Sequence, residues 1–195
     1  MEYASVYDLI AEKFSVRTAL YPGSADDMTP SLSIPYVAYI DKSSFAADFF
    51  RDKDALLQKL DRLKHYEEPC TFDFYAEDYN SPLELPRFDL LISRYAGNVG
   101  QAMKQYLRDG GILLVTEGPE DADLAFCDAD YELIGTVCDW DDRVELAAGI
   151  VPPHYMVYAP EDTDETLIQF PMQRTFCFRK TSLWATEGSE LQRRN

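Results

Sequence analysis

The sequence predicts an α/β fold built on a mostly parallel sheet, and three observations support this prediction. Strand-like apolar runs alternate with helical patterns over the first two thirds of the 195 residues, which is typical of parallel strands joined by helices. The first strand-like run, 18–21, leads into a turn at Pro22-Gly23. The second, 37–40, ends on Asp41. Nucleotide-binding α/β folds use this layout, in which glycine lets the backbone approach a ligand and the acid holds ribose hydroxyls.

Apolar spacing and helix-stop residues define the elements of the N-terminal half. Residues 3–14 carry apolar side chains at helical spacing, which predicts an amphipathic helix. The helix that begins at Thr29 has room for about one turn, because Pro35 stops it. Ser43 and Ser44 can cap the next helix, whose apolar face runs to about residue 66 with an expected break at 52–54.

Three more strands and one helix complete the alternating part. Residues 71–75 alternate aromatic and polar side chains, and residues 88–93 are apolar, as in strands. Residues 99–107 present a continuous apolar helix face, which we expect to end at Gly110-Gly111. Residues 112–116 follow as the fifth strand.

The last third of the chain is predicted to be mostly β structure. We expect it to extend the same sheet, so that residues 1–195 form one domain with an N-terminal helix in 1–15 and a flexible tail over 181–195. The strand-like runs are 131–138, 154–158, 167–170 and 174–180.

Composition and charge exclude several classes of protein. Hydrophobic residues make up 46% and aromatic residues 13%, which excludes a disordered chain. The formal net charge of −17 disfavours nucleic acid and anionic membranes as partners. The N-terminus does not read as a signal peptide and no run is long enough to span a membrane, so we expect a soluble, cytoplasmic protein. No metal site is predicted, because there is no C-x-x-C pair and there are only two histidines. We expect the four cysteines to be reduced and buried.

The order of these features resembles the class I S-adenosylmethionine-dependent methyltransferases. In that family a glycine turn follows strand one, an acid closes strand two, and Leu-x-x-Gly-Gly with apolar residues leads into strand five, as Leu107-Arg-Asp-Gly-Gly-Ile-Leu-Leu-Val115 does here. The resemblance covers about residues 15–180. It implies a Rossmann-like methyltransferase fold, a seven-stranded and mostly parallel sheet with an antiparallel C-terminal hairpin, and S-adenosylmethionine as the cofactor.

The resemblance also implies roles for particular residues. The methionine part of the cofactor would face Tyr21, Pro22, Gly23 and Ser24, the ribose would bind Asp41, the adenine would lie near Asp78 and Tyr79, and the reaction centre would be lined by Ser93, Arg94 and Tyr95. The substrate-site candidates are Arg94, Tyr95, Asn98 and His154. The chain departs from the family where Tyr21 stands in place of the first glycine and where strand one lacks an acid.

Simpler structural interpretations stay open for several of these residues. Gly23 suits a type II turn after proline, and Asp41 suits a helix N-terminus, although we expect it to bind a ligand. Asp78 fits ordinary turn chemistry, Asn98 fits a helix N-cap, and His154 fits a loop residue with no chemical role.

Three functions are compatible with the sequence. The first is S-adenosylmethionine-dependent methyl transfer to a small-molecule acceptor. The second is a catalytically inactive methyltransferase-like module that binds a protein partner or serves in assembly. The third, a nicotinamide-dependent oxidoreductase, lacks G-x-G-x-x-G, and an antiparallel seventh strand in the sheet would favour the methyltransferase class instead.

Overall fold

The computed structural model describes residues 2–94, 96–116, 121–140, 143–149, 155–158, 168–171 and 174–181. The candidates Tyr95 and His154, and residues 182–195 of the predicted tail, lie outside the described residues. Within the described ranges, no helix is long and apolar enough to cross a membrane.

The first part of the chain alternates strands and helices as predicted. Its elements are α1 (Glu2–Phe14), β1 (Thr18–Pro22), a 3-10 helix (Thr29–Leu32), β2 (Tyr36–Ile40), α2 (Ser44–Phe49), α3 (Lys53–Leu63), β3 (Thr71–Tyr75) and β4 (Phe88–Ser93). The later elements are α4 (Val99–Ala102), a 3-10 helix (Lys104–Tyr106), β5 (Leu107–Thr116), α5 (Asp121–Cys127), β6 (Tyr131–Trp140), β7 (Arg143–Ala147), β8 (Tyr155–Tyr158), β9 (Ile168–Pro171) and β10 (Thr175–Lys180).

Eight of these strands form one mixed sheet in the order β3-β2-β1-β4-β5-β10-β6-β7. Strands β1 to β5 are parallel to their neighbours among themselves, whereas β10 runs antiparallel between β5 and β6. The predicted α/β class and the antiparallel C-terminal strands are confirmed, and β7 adds one strand beyond the predicted seven. The order reverses between β1 and β4, which makes their carboxyl ends the switch point of the sheet.

Two apolar cores cover the two faces of this sheet. On one face α1, the 3-10 helix 29–32 and α3 pack against β1, β2 and β4 through residues such as Tyr7, Tyr39 and Leu60. On the other face α4 and α5 pack through residues such as Val99 and Ala122. Alternating strand residues feed each core, because successive side chains of a strand point to opposite faces.

The predicted helix over 99–107 is wrong in its extent. Helix α4 stops at Ala102, a 3-10 turn follows, and β5 already begins at Leu107, which pairs with Phe88. The apolar side chains of this segment are nevertheless buried, as Val99, Met103 and Leu107 all show. Gly110 lies within β5 and has φ +76°. It therefore allows an irregular backbone in this strand and does not end a helix.

The C-terminal third departs from the sequence prediction in three ways. Strands β8 and β9 pair with each other in a separate two-stranded sheet, so the run 154–158 does not extend the main sheet. Helix α5 was not predicted, although its Ala122 and Ala125 are buried against the sheet. All four cysteines are free, but Cys127 on α5 is exposed and Cys70 is only half-buried.

Candidate functional site

Most of the predicted site residues lie at the edge of the sheet where the parallel strands end. β1 ends at Pro22, β2 at Ile40, β3 at Tyr75 and β4 at Ser93. Among the predicted cofactor residues, Pro22 and Ser93 end their strands and Tyr21 lies within β1. The others lie in the loops that follow these strands. Open α/β sheets bind ligands at this edge, beside the switch point.

Asp41 lies between the loop after β1 and the start of α2. Its Oδ2 accepts a hydrogen bond from the Ala25 N–H at 2.9 Å, and its Oδ1 accepts one from the Ser43 N–H at 2.8 Å. Partial burial raises the pKa of Asp41, but the bonds from Ser43 and Ala25 outweigh this and hold the pKa below its usual value. The bond from Ser43, the N-cap of α2, fits the alternative that Asp41 serves the helix N-terminus, and the bond from Ala25 adds a structural role in the loop after β1. Ligand binding by Asp41 stays a prediction.

The carboxylate of Asp41 retains acceptor capacity. A carboxylate offers about four lone-pair sites, and the two backbone N–H groups occupy one on each oxygen. The Ser43 side chain also bonds to this carboxylate and lowers its pKa, so about one of the four sites stays open for a further donor, such as a hydroxyl group.

The loop after β1 has an unusual backbone. Gly23 has φ +66° and Ala25 has φ +48°, so both residues lie in the left-handed region. Alanine is strained there by roughly 1–2 kcal/mol, whereas glycine is not. Ser24, between them, is 2% exposed, and its Oγ has no hydrogen-bond partner among the described residues. A buried hydroxyl without a partner is costly, so Ser24 is a position where a ligand group would be stabilised.

Gly23 also packs closely against the loop after β4. A Cβ atom at this position would lie 2.4 Å from the Cβ of Ala96. The Gly23 N–H meanwhile donates to the Ile40 carbonyl at 2.7 Å. Glycine is therefore required here by its dihedral angle and by the contact between two loops, independently of any ligand.

The two predicted adenine contacts have protein partners. Asp78 forms an ion pair with Lys42 at 2.9 Å and accepts hydrogen bonds from the Asn80 backbone and side chain. The Asn80 backbone bond and Lys42 together lower the pKa of Asp78 to about 2. The Tyr79 hydroxyl donates to the Gly97 carbonyl at 2.8 Å, which connects the loop after β3 to the loop after β4.

A buried carboxylate fixes both ends of the loop after β4. Ser93, at the end of β4, donates its hydroxyl to Asp121, and the Gly100 N–H donates to Asp121 Oδ1 at 3.1 Å. Asp121 is 5% exposed and opens α5. Sequence reasoning missed Asp121 because α5 itself was not recognised.

Asn98 is exposed and stands at the N-cap position of α4, with φ +63° and no side-chain capping bond. Asn98 therefore occupies the N-cap position, as the capping interpretation holds, but its side chain does not form the capping hydrogen bond. A non-glycine residue in the left-handed conformation is uncommon, although asparagine tolerates it better than most residues. The Asn98 side chain makes no capping bond, so capping does not prevent it from contacting a ligand at the end of the loop after β4.

A second carboxylate that the sequence analysis missed, Asp27, connects the ends of β1 and β4. Its Oδ2 accepts hydrogen bonds from the Tyr21 hydroxyl and from Arg94 Nη1, both at 3.0 Å. Burial, with nearby Tyr7 and Asp27, raises the pKa of Tyr21, so the neutral hydroxyl is the donor. Arg94, predicted as a substrate residue, is thus paired within the protein and only 6% exposed.

Known structures share this architecture. An S-adenosylmethionine-dependent methyltransferase from Clostridium acetobutylicum ATCC 824 matches with a TM-score of 0.57 and 10% identity, over 93% of each chain. The N-methyltransferase NodS from Bradyrhizobium japonicum WM9 matches with a TM-score of 0.55 and 12% identity, over 93% of this chain and 96% of that chain. The same enzyme in complex with S-adenosyl-L-homocysteine matches with a TM-score of 0.53 and 13% identity, over 89% and 84%.

These similarities establish the fold. The chain has the Rossmann-like fold of the class I S-adenosylmethionine-dependent methyltransferases, as the resemblance in sequence organisation implied. No protein-family model matches the sequence, and no curated protein matches it.

Proposed function

We propose that this protein binds S-adenosylmethionine at the carboxyl edge of its sheet and transfers the methyl group to a small-molecule acceptor. One observation carries the proposal. Asp41 directly follows the second strand, its Oδ2 bonds to the left-handed Ala25 in the loop after β1, and its carboxylate keeps acceptor capacity for a further donor. That arrangement suits a ribose hydroxyl group at the switch point of an α/β sheet.

The surrounding residues fit the cofactor in part. The buried Ser24 hydroxyl, with no partner in the described structure, supplies a polar contact in the loop assigned to the methionine part. Asp78 and Tyr79 lie at the end of β3, where the adenine would lie, but their bonds to Lys42 and Gly97 would have to accommodate it. The acidic chain also suits a cofactor that carries a positive sulfonium group.

The cofactor, when bound, supplies an electrophilic methyl group, so the protein's task is to align the acceptor with it. The loop after β4 is the natural place for the acceptor, since it adjoins the loop after β1 through the Gly23–Ala96 contact. Among the described residues of this loop, Asn98 has an exposed polar side chain that makes no capping bond, and we assign it to acceptor binding. A small molecule is the favoured acceptor, because the net charge of −17 opposes nucleic acid.

The alternative is a binding or assembly module with the same fold and no catalysis. The observation in its favour is that Gly23 already contacts Ala96 and that both predicted adenine residues have protein partners. Calorimetric titration of S-adenosyl-L-homocysteine into the full chain distinguishes the two. Saturable binding supports the proposed enzyme, and no heat at millimolar ligand would leave the module as the better explanation.

A further inference from the structure

The side chain of Asp27 joins the loop after β1 to the start of the loop after β4. Its Oδ1 accepts the N–H of Thr29 at 3.0 Å and the Thr29 hydroxyl at 2.6 Å, which fixes Asp27 within its own loop. Its Oδ2 accepts hydrogen bonds from the Tyr21 hydroxyl on β1 and from Arg94 Nη1 just after β4. One carboxylate therefore connects three segments that meet at the carboxyl edge.

The Asp27–Arg94 ion pair is partly shielded from water. The side chain of Asp27 is 25% exposed and that of Arg94 is 6% exposed. Hydrogen bonds to ionised groups are the stronger kind, and shielded pairs are screened less by salt than surface pairs. The Asp27 backbone N–H also donates to the Ser24 carbonyl at 2.9 Å, which holds Asp27 close to the strained part of the loop.

We propose that Asp27 and Arg94 are positioning residues that set the separation between the cofactor loop (residues 23–28) and the acceptor loop (residues 94–98). This inference rests on the proposed function, which places the methyl donor on the first loop and the acceptor on the second. Methyl transfer depends on alignment to within a fraction of an ångström, so a link that fixes both loops acts directly on the reacting geometry.

A second carboxylate that is paired with an arginine, at the amino ends of the same strands, supplies the control. Asp89 joins the same two strands there: its Oδ2 accepts the N–H groups of Arg17 and Thr18 at 2.8 and 3.0 Å, and its Oδ1 pairs with Arg108 at 2.6 Å. Asp27→Asn and Asp89→Asn are therefore matched variants. Each leaves an amide of the same shape facing an arginine, but only one of them lies at the proposed site.

The experiment measures S-adenosyl-L-homocysteine affinity by calorimetry and the melting temperature for wild type, Asp27→Asn, Asp89→Asn, Arg94→Met and Arg94→Lys. We expect both aspartate variants to melt earlier than wild type. We expect Asp27→Asn to weaken binding by about tenfold, with Asp89→Asn remaining within twofold of wild type. Arg94→Met should weaken binding as Asp27→Asn does, and Arg94→Lys, which keeps the charge, should restore part of the loss.

Two results would overturn the positioning role. If wild type binds and Asp27→Asn binds equally well, Asp27 is a structural residue only. If Asp89→Asn weakens binding as much as Asp27→Asn, the effect is a general loss of stability. Failure of wild type itself to bind would instead remove the proposed function, and the positioning role with it.

Discussion

The Asp41 carboxylate accepts the N–H of Ala25 at 2.9 Å, and Ala25 is held with φ +48°. The same carboxylate that the proposed function gives to the ribose thus also stabilises a strained residue of the loop after β1. Left-handed alanine is unfavourable by roughly 1–2 kcal/mol, and a hydrogen bond to a charged acceptor offsets a cost of this size. Under the proposed function, ligand binding and loop conformation would be coupled through this one side chain.

Replacing Asp41 by alanine should therefore impair both stability and binding. Two backbone N–H groups, of Ala25 and Ser43, lose their acceptor, which we expect to lower the free energy of unfolding by about 1–3 kcal/mol. S-adenosylmethionine affinity should fall by roughly tenfold to a hundredfold. Thermal melting and calorimetry on wild type and Asp41→Ala measure the two effects. A variant that melts early but binds normally would limit Asp41 to the structural role.

The stabilising effect of Asp41 should depend on pH in a defined direction. Its pKa is lower in the folded protein than in the unfolded chain, so its contribution is complete above the unfolded value of about 3.9 and disappears as the pH falls through the folded value. The difference in unfolding free energy between wild type and Asp41→Asn should accordingly be constant from pH 7 to 5 and shrink below pH 4. Urea unfolding across this range measures it, and a constant difference at pH 3 would contradict the prediction.

Glycine at position 25 should relieve the strain in the cofactor loop. Because glycine adopts a positive φ freely, Ala25→Gly should raise the free energy of unfolding by up to about 1 kcal/mol after the extra entropy of the unfolded chain is counted. Ala55 is the control, since it lies exposed in helix α3. There the same substitution should destabilise by about 0.5–1 kcal/mol. Equal losses at both positions would show that Ala25 is not strained.

The negative net charge of the protein predicts that it does not bind nucleic acid. At −17 the protein should not bind DNA or RNA specifically at physiological salt, because association with phosphates would be opposed electrostatically. A mobility-shift assay at low salt tests this. Submicromolar affinity would contradict it and would reopen nucleic acid as a methyl acceptor.

The sequence revealed the sheet better than it revealed the site. Strands β3 and β4 have the predicted bounds, since short apolar runs between turn residues have few alternative structures. A break between α2 and α3 is predicted at 52–54, and the structure has it at 50–52, where the Asp52 side chain caps α3 by accepting the Ala55 N–H. These signals are local and can be read from neighbouring residues.

The missed residues depend on contacts between distant parts of the chain. Asp27 meets Arg94, and Asp121 meets Ser93, across separations that no sequence spacing encodes. The helix predicted over 99–107 failed for a related reason. Its apolar pattern is real, but pairing of Leu107 with Phe88 draws that end of the segment into the sheet. Tertiary pairing overrode local helical preference there.

The contact between Gly23 and Ala96 gives the sharpest structural prediction. Gly23→Ala would place a Cβ atom 2.4 Å from the Ala96 Cβ and would also strain a residue at φ +66°, so we expect a loss of about 2–4 kcal/mol in unfolding free energy. Adding Ala96→Gly removes the clash but not the dihedral strain, and should therefore restore part of the loss. Gly97 is the control, because a Cβ there meets nothing within 4 Å.

Gly97→Ala should change the unfolding free energy by no more than about 0.5 kcal/mol. Denaturant unfolding of the three single variants and the double variant measures all four values. If Ala96→Gly and Gly23→Ala are simply additive, the two loops are not in contact in solution. In that case the cofactor loop and the acceptor loop are separated before any ligand binds.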